Sequence, residues 1–322
     1  MQTLYPAINS NQEYQLEVGQ GHTLYVEESG SVDGIPVLFF HGGPGAGCHQ
    51  SDRRFFDPER FRIILFDQRG CGRSTPYGEL QDNSPSQLVE DIESIRQHLG
   101  VKQWLLFGGS WGATLALLYA QSFPEQVLGL VLRGTFLMRP EDLTWLYQAE
   151  GGAAQVFPDY FAEFVQPFGR DCQMQDTLHY YHQLLTSDNE LERLNAAKSW
   201  YFWEGRIAQL HAPEHMNFDA HQGISMARIS SHFFTQQPLL QHSILSQLEK
   251  VTHLPAILIH GRYDMVCKLE NSSQLAKQWP NAQLQIVPSA GHSSREAGMI
   301  DALCKATTTM ADIINDRTHS ES

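Results

Sequence analysis

The chain has 322 residues, enough for one large α/β domain or for a core carrying a smaller inserted one. A hydrophobic fraction of 42% excludes wholesale disorder, and a formal net charge of -14 argues against nucleic acid or anionic membrane surfaces as partners. The cysteines, Cys48, Cys71, Cys172, Cys267 and Cys304, are scattered with no C-x-x-C and no Cys/His cluster at zinc spacing, which predicts reduced thiols and no metal.

Residues 1–20 lack a basic start followed by an apolar stretch, and no apolar run approaches the ~18 residues of a membrane span, so a soluble cytoplasmic protein is expected. From Tyr14 to Glu27 two alternating segments flank Gly19-Gln20-Gly21 and predict an antiparallel hairpin at a sheet edge. Pro36 to Phe40 is apolar on both faces, as an interior parallel strand requires, and runs into the glycine-rich loop His41-Gly42-Gly43-Pro44-Gly45. Arg62 to Phe66 repeats the pattern and ends in Asp67-Gln68-Arg69-Gly70-Cys71-Gly72-Arg73-Ser74, whose charges we assign to scaffold rather than to substrate. Ser84-Pro85-Ser86-Gln87 opens a helix, with serine at the N-cap and proline at the first position, and Leu88, Ile92, Ile95 and Leu99 form its apolar face.

The apolar run Trp104 to Phe107 then meets Gly108-Gly109-Ser110-Trp111-Gly112, followed by the helix-forming Ala113 to Ala120. Strand, sharp turn with a serine, and helix is the arrangement of a nucleophile elbow. Val127 to Leu132 gives a further buried strand. Between about Leu137 and Gln241 no interior strand is evident, only aromatic-rich segments at helical spacing, which predicts a helical cap inserted into the core. Sheet character returns at Pro255 to His260 and at Gln283 to Pro288, and a last helix is expected over about Arg295 to Ile314. The predicted fold is thus a mostly parallel, doubly wound α/β sheet: residues 1–136 and 242–316 form the core, 137–241 the cap, and 317–322 a loose tail.

Two late strands each lead to a chemically capable residue: one to Asp264, the other to His292. Serine, acid and histidine in this chain order, each after a parallel strand, match the order found in α/β-hydrolases. A serine hydroxyl needs a base, imidazole titrates in the useful range, and a carboxylate holds its tautomer. The N–H groups of Trp111 and of the glycine loop, at Gly43, are the candidate oxyanion donors.

These segments together with Gly261-Arg262-Tyr263-Asp264, Ala290-Gly291-His292 and Trp203-Glu204-Gly205 resemble the motifs of prolyl aminopeptidases, also called proline iminopeptidases, over about residues 5–312. The resemblance implies an α/β-hydrolase fold and release of an N-terminal residue, preferably proline, from small peptides with a free N-terminus, without a cofactor. Two cap glutamates bind the amine in that family. Glu204 matches the first, whereas Ser230 stands where the family carries the second. Losing one carboxylate of a buried charge-assisted pair costs about 2–5 kcal/mol, so weakened or redirected proline specificity is expected. Phe136, Tyr147, Trp200 and Trp203 are candidates for an apolar pocket around a proline ring, with one or two of them expected to line the site. Two other readings stay open on the same scaffold: a serine esterase, lactonase or amidase, which Ser230 favours, and a ligand-binding protein that retains only the fold.

Overall fold

The structure, a computed structural model, describes residues 1–169, 173–211, 215–236 and 238–320. Cys172 lies outside them. The chain begins with the hairpin β1 (Gln12–Gly19) and β2 (His22–Gly30), continues through β3 (Ile35–Phe40) and β4 (Phe61–Phe66), and then enters α1 (Pro85–His98). Next come β5 (Trp104–Gly109), α2 (Trp111–Ser122) and β6 (Val127–Arg133). Six helices follow: α3 (Pro140–Tyr147), α4 (Gly152–Val156), α5 (Pro158–Val165), α6 (Met174–Leu185), α7 (Glu190–Ile207) and α8 (Ala220–Thr235). The chain closes with β7 (Ala256–Gly261), α9 (Leu269–Gln278), β8 (Ala282–Val287) and α10 (Ala297–Ser320).

The strands form one sheet in the order β1-β2-β4-β3-β5-β6-β7-β8. β1, β2 and β4 pair antiparallel in sequence, and every contact from β4 through β3 to β8 is parallel. Strand residues alternate between faces with period two. Leu38, Phe40, Leu106 and Leu258 join the core under α1 and α2, whereas Val37, Phe39, Leu105, Phe107 and Ile259 meet Phe55, Phe56 and the α10 side chains Met299, Leu303 and Met310. The parallel strands therefore bury both faces, which is why they read as unbroken apolar runs.

Two expectations are corrected. The stretch between Asp264 and β8 holds a helix, α9, that periodicity did not single out; only Leu275 is a buried hydrophobic residue within it. The last helix starts at Ala297 and runs on through residues 317–320, where a loose tail was expected, because no glycine or proline follows Gly298, which lies in its first turn.

The charged loop after β4 is scaffold. Asp67 accepts the Cys48 N–H at 2.7 Å and both the backbone N–H and Nε of Arg73, at 2.9 and 2.8 Å. Arg69 makes a bidentate pair with Asp91 of α1, both bonds 2.7 Å and both side chains 2% exposed. Replacing Asp91 by alanine leaves that guanidinium buried without its partner, and urea unfolding is expected to show a loss of about 3–5 kcal/mol.

Candidate active site

The elbow forms because two backbones pass closer than any side chain permits. A Cβ at Gly112 would lie 2.2 Å from the Phe40 carbonyl oxygen, and one at Gly108 would lie 2.3 Å from the Gly112 oxygen. Between them Ser110 sits at φ 58° and ψ -126°, a conformation non-glycine residues seldom adopt, held by its N–H on the Arg133 carbonyl at 2.9 Å and by α2 starting at its carbonyl. The hydroxyl is thus carried above the end of β5 into a cavity of about 350 Å³ between core and helices.

Asp264 and His292 converge there from the ends of β7 and β8. His292 Nδ1 lies 2.7 Å from Asp264 Oδ2, while Asp264 Oδ1 accepts the N–H groups of Val266 and Cys267 at 3.0 and 2.8 Å. Burial opposes ionisation of Asp264, but the His292 and His260 rings outweigh it and hold the carboxyl well below the usual range. Burial lowers the His292 pKa from 6.5, partly offset by Asp264 and reinforced by Arg133. The ring is therefore neutral near pH 7, with its Nδ1 proton toward the carboxylate and Nε2 left as an acceptor.

Gly42 and Gly43 lie over the elbow. A Cβ on Gly42 would come within 3.5 Å of the Ser110 Cβ, and Gly43 at φ +110° turns the chain in a way that a side chain disfavours. Trp111 is the first residue of α2, so its N–H has no acceptor within the helix. One side chain ties the two segments together. Gln68 donates its backbone N–H to His41 Nε2 and its side-chain Nε2 to the His41 carbonyl, both at 3.0 Å, and accepts Trp111 Nε1 at 2.9 Å. It was passed over because a glutamine inside a charged turn carries no signal of its own.

The insertion supplies the opposite wall. Phe136, Tyr147 and Glu204 line the cavity as expected. The Tyr147 hydroxyl donates to Glu204 Oε1, and burial, only partly offset by this bond, raises the Glu204 pKa to about 7. Among the described residues that line the cavity, Glu204 is the single carboxylate and Arg133 the single guanidinium. Three expected residues are elsewhere: Trp200 is fully buried against Tyr147 and Tyr181, and Trp203 and Ser230 also lie off the cavity. Trp203 faces the helical core, stacked on Phe164 with its Nε1 on the Leu146 carbonyl, since neighbours on a helix point about 100° apart. Ser230 is fully buried and donates to the Pro44 carbonyl at 3.0 Å, fastening α8 to the glycine loop. Phe234, one turn further, lines the cavity instead, as do Cys267, whose Sγ is 3.9 Å from Ser110 Oγ, and Arg133. Phe234 lies four residues after Ser230 on α8, a spacing that could have found it.

With this geometry in place, comparison with known proteins fixes the class. Residues 35–296 match the family model described as alpha/beta hydrolase fold, and the chain belongs to that family. A haloalkane dehalogenase variant from Bradyrhizobium elkanii superposes with a TM-score of 0.63 at 18% identity, covering 97% of this chain and 99% of that one. The class admits many chemistries, so the particular branch rests on sequence. The chain is 45% identical to a proline iminopeptidase from Xanthomonas citri over 97% of its own length and 100% of the other's, and 44% identical to one from Arabidopsis thaliana over 96% and 82%. It belongs to the proline iminopeptidase family. Among the described residues no helix is long and apolar enough to cross a membrane.

Asp264 raises the His292 pKa, so removing its charge should lower it further. In Asp264→Asn the imidazole of His292, followed by NMR, is expected to titrate at lower pH than in the wild type.

Proposed function

We propose that the protein is a serine aminopeptidase that releases an N-terminal residue, preferably proline, from short peptides through an acyl-enzyme, with residues 137–241 acting as a cap over Ser110. The observation that carries this reading is a carboxylate, Glu204, the only one among the described residues that line the cavity holding Ser110. A peptide amine is cationic near neutral pH, and a charge-assisted bond to Glu204 fixes how far into the cavity the first residue extends. On this reading the amine contact leaves one residue between itself and the serine, which makes the reaction an exopeptidase one. Phe136, Tyr147 and Phe234 offer apolar walls for that residue.

In the reaction the scissile carbonyl oxygen rests on the N–H groups of Gly43 and Trp111. Ser110 Oγ attacks the carbonyl carbon as His292 Nε2 takes its proton, and the N–H pair holds the resulting oxyanion. His292 then passes the proton to the leaving nitrogen, the C–N bond breaks and the first residue remains as an ester on Ser110. Water attacks the ester, with His292 again taking and returning a proton. The family's two-carboxylate amine site is reduced here to Glu204, because Ser230 is spent on the Pro44 carbonyl. Nothing in the cavity favours the esterase reading over this one: an ester substrate has no use for Glu204.

Two outcomes are expected. For proline p-nitroanilide, kcat/KM should rise as pH passes through about 7, because Glu204 must ionise to bind the cation. Glu204→Gln should raise KM about tenfold or more and move the acid limb below 6.5, where the lowered His292 governs it. Mass spectrometry of acid-quenched enzyme should find a prolyl group on the peptide containing Ser110, and Ser110→Ala should lose both adduct and turnover. An acid limb that stays in place in Glu204→Gln would remove Glu204 from amine binding.

A further inference from the structure

Arg133 occupies a position the mechanism does not explain. It ends β6, beside the elbow strand, with its guanidinium packed on the backbone of Gly109, where a Cβ would lie 2.4 Å from Nη2. Its Nη1 donates to His292 twice, to the carbonyl oxygen at 2.8 Å and to ring Nε2 at 3.0 Å. Among the described residues no carboxylate pairs with it at ion-pair distance, although the side chain is partly buried in the cavity wall. The lone pair on Nε2 that must accept the Ser110 proton is thus occupied by a cation, whose charge also opposes the imidazolium formed during reaction. The Ser110 hydroxyl lies 3.9 Å from Cys267 Sγ and is not hydrogen-bonded to His292. Proton transfer from Ser110 is faster when something draws the guanidinium off Nε2.

We propose that Arg133 binds the terminal carboxylate of a dipeptide substrate and, in doing so, releases Nε2 of His292 for Ser110. The inference rests on the aminopeptidase reading and names its preferred substrate class, the free dipeptide. The leaving nitrogen must come within hydrogen-bond reach of Nε2 to receive its proton. In a dipeptide the carboxylate carbon is only two bonds from that nitrogen, so it arrives beside the guanidinium already resting on Nε2. Guanidinium and carboxylate form the stronger, bidentate pair, and the ring nitrogen is given up. The cavity then carries one anion for the amine and one cation for the carboxylate, with apolar walls between, and its charges complement a zwitterion one peptide bond long. A longer peptide or an arylamide presents no charge at that point and meets an Arg133 still seated on Nε2.

The test compares proline release from Pro-Ala and from Pro-Ala amide by the intact enzyme and by Arg133→Met and Arg133→Lys. The wild type is expected to favour the free acid by about tenfold or more in kcat/KM, much of it in kcat because the carboxylate frees the base. The ratio should collapse toward one in Arg133→Met and be partly retained in Arg133→Lys. Equal cleavage of acid and amide by the wild type overturns the role of Arg133 while leaving the aminopeptidase reading intact, and needs no variant that folds. A preference that survives in Arg133→Met places the carboxylate site elsewhere. Failure to release proline from either substrate sinks both readings together.

Discussion

Everything in this molecule's chemistry depends on a steric constraint: the close approach of the Gly112 backbone to the Phe40 carbonyl at the end of the adjacent strand. That contact forces β5 to turn at Ser110 and start α2 at once, so the hydroxyl and the first N–H of the helix face the same space. The glycine loop after β3 has to pass over the same point, and Gln68 locks it there by bonding to both His41 and Trp111. A parallel sheet then brings Asp264 and His292 to the same edge from strands two and three places along. The site is a consequence of sheet order and of one contact too tight for a side chain.

The charges at the site divide its labour. Asp264, bonded to two backbone N–H groups and the His292 ring, stays ionised and fixes the tautomer of that ring. Glu204, enclosed without a cation to pair with, is poised between charged and neutral near pH 7. A carboxylate in that condition gains most from an incoming cation, since the ligand supplies the countercharge the protein withholds. Arg133 is the complementary case, a guanidinium whose hydrogen bonds go to a histidine instead of an acid.

Much of this was legible in the sequence because parallel strands advertise themselves. Ser110, Asp264 and His292 each follow an apolar run whose end is the ligand-binding edge of the sheet, so strand recognition alone nearly placed them. The helical insertion resisted for a physical reason. α7 is aromatic over much of its circumference, and periodicity does not tell which side meets the cavity: Glu204 does, while Trp203, one residue earlier, stacks on Phe164. Ser230 falls on a cavity-proximal helix, yet its short side chain is consumed by Pro44. Arg133 ends an apolar strand, and nothing local shows that its guanidinium reaches a histidine 159 residues away. α9 offered too few apolar residues to declare a face.

The central claim is that Glu204 sets the register of cleavage by holding a free amine one residue from Ser110. The most direct measurement is the ratio of kcat/KM for proline p-nitroanilide to that for its N-acetyl derivative at pH 8, where Glu204 is ionised. The account predicts that acetylation lowers kcat/KM by at least about a hundredfold, since it removes the cation and leaves a half-buried carboxylate without a countercharge. Comparable turnover of the two substrates would contradict it and mean that the cavity admits a blocked chain.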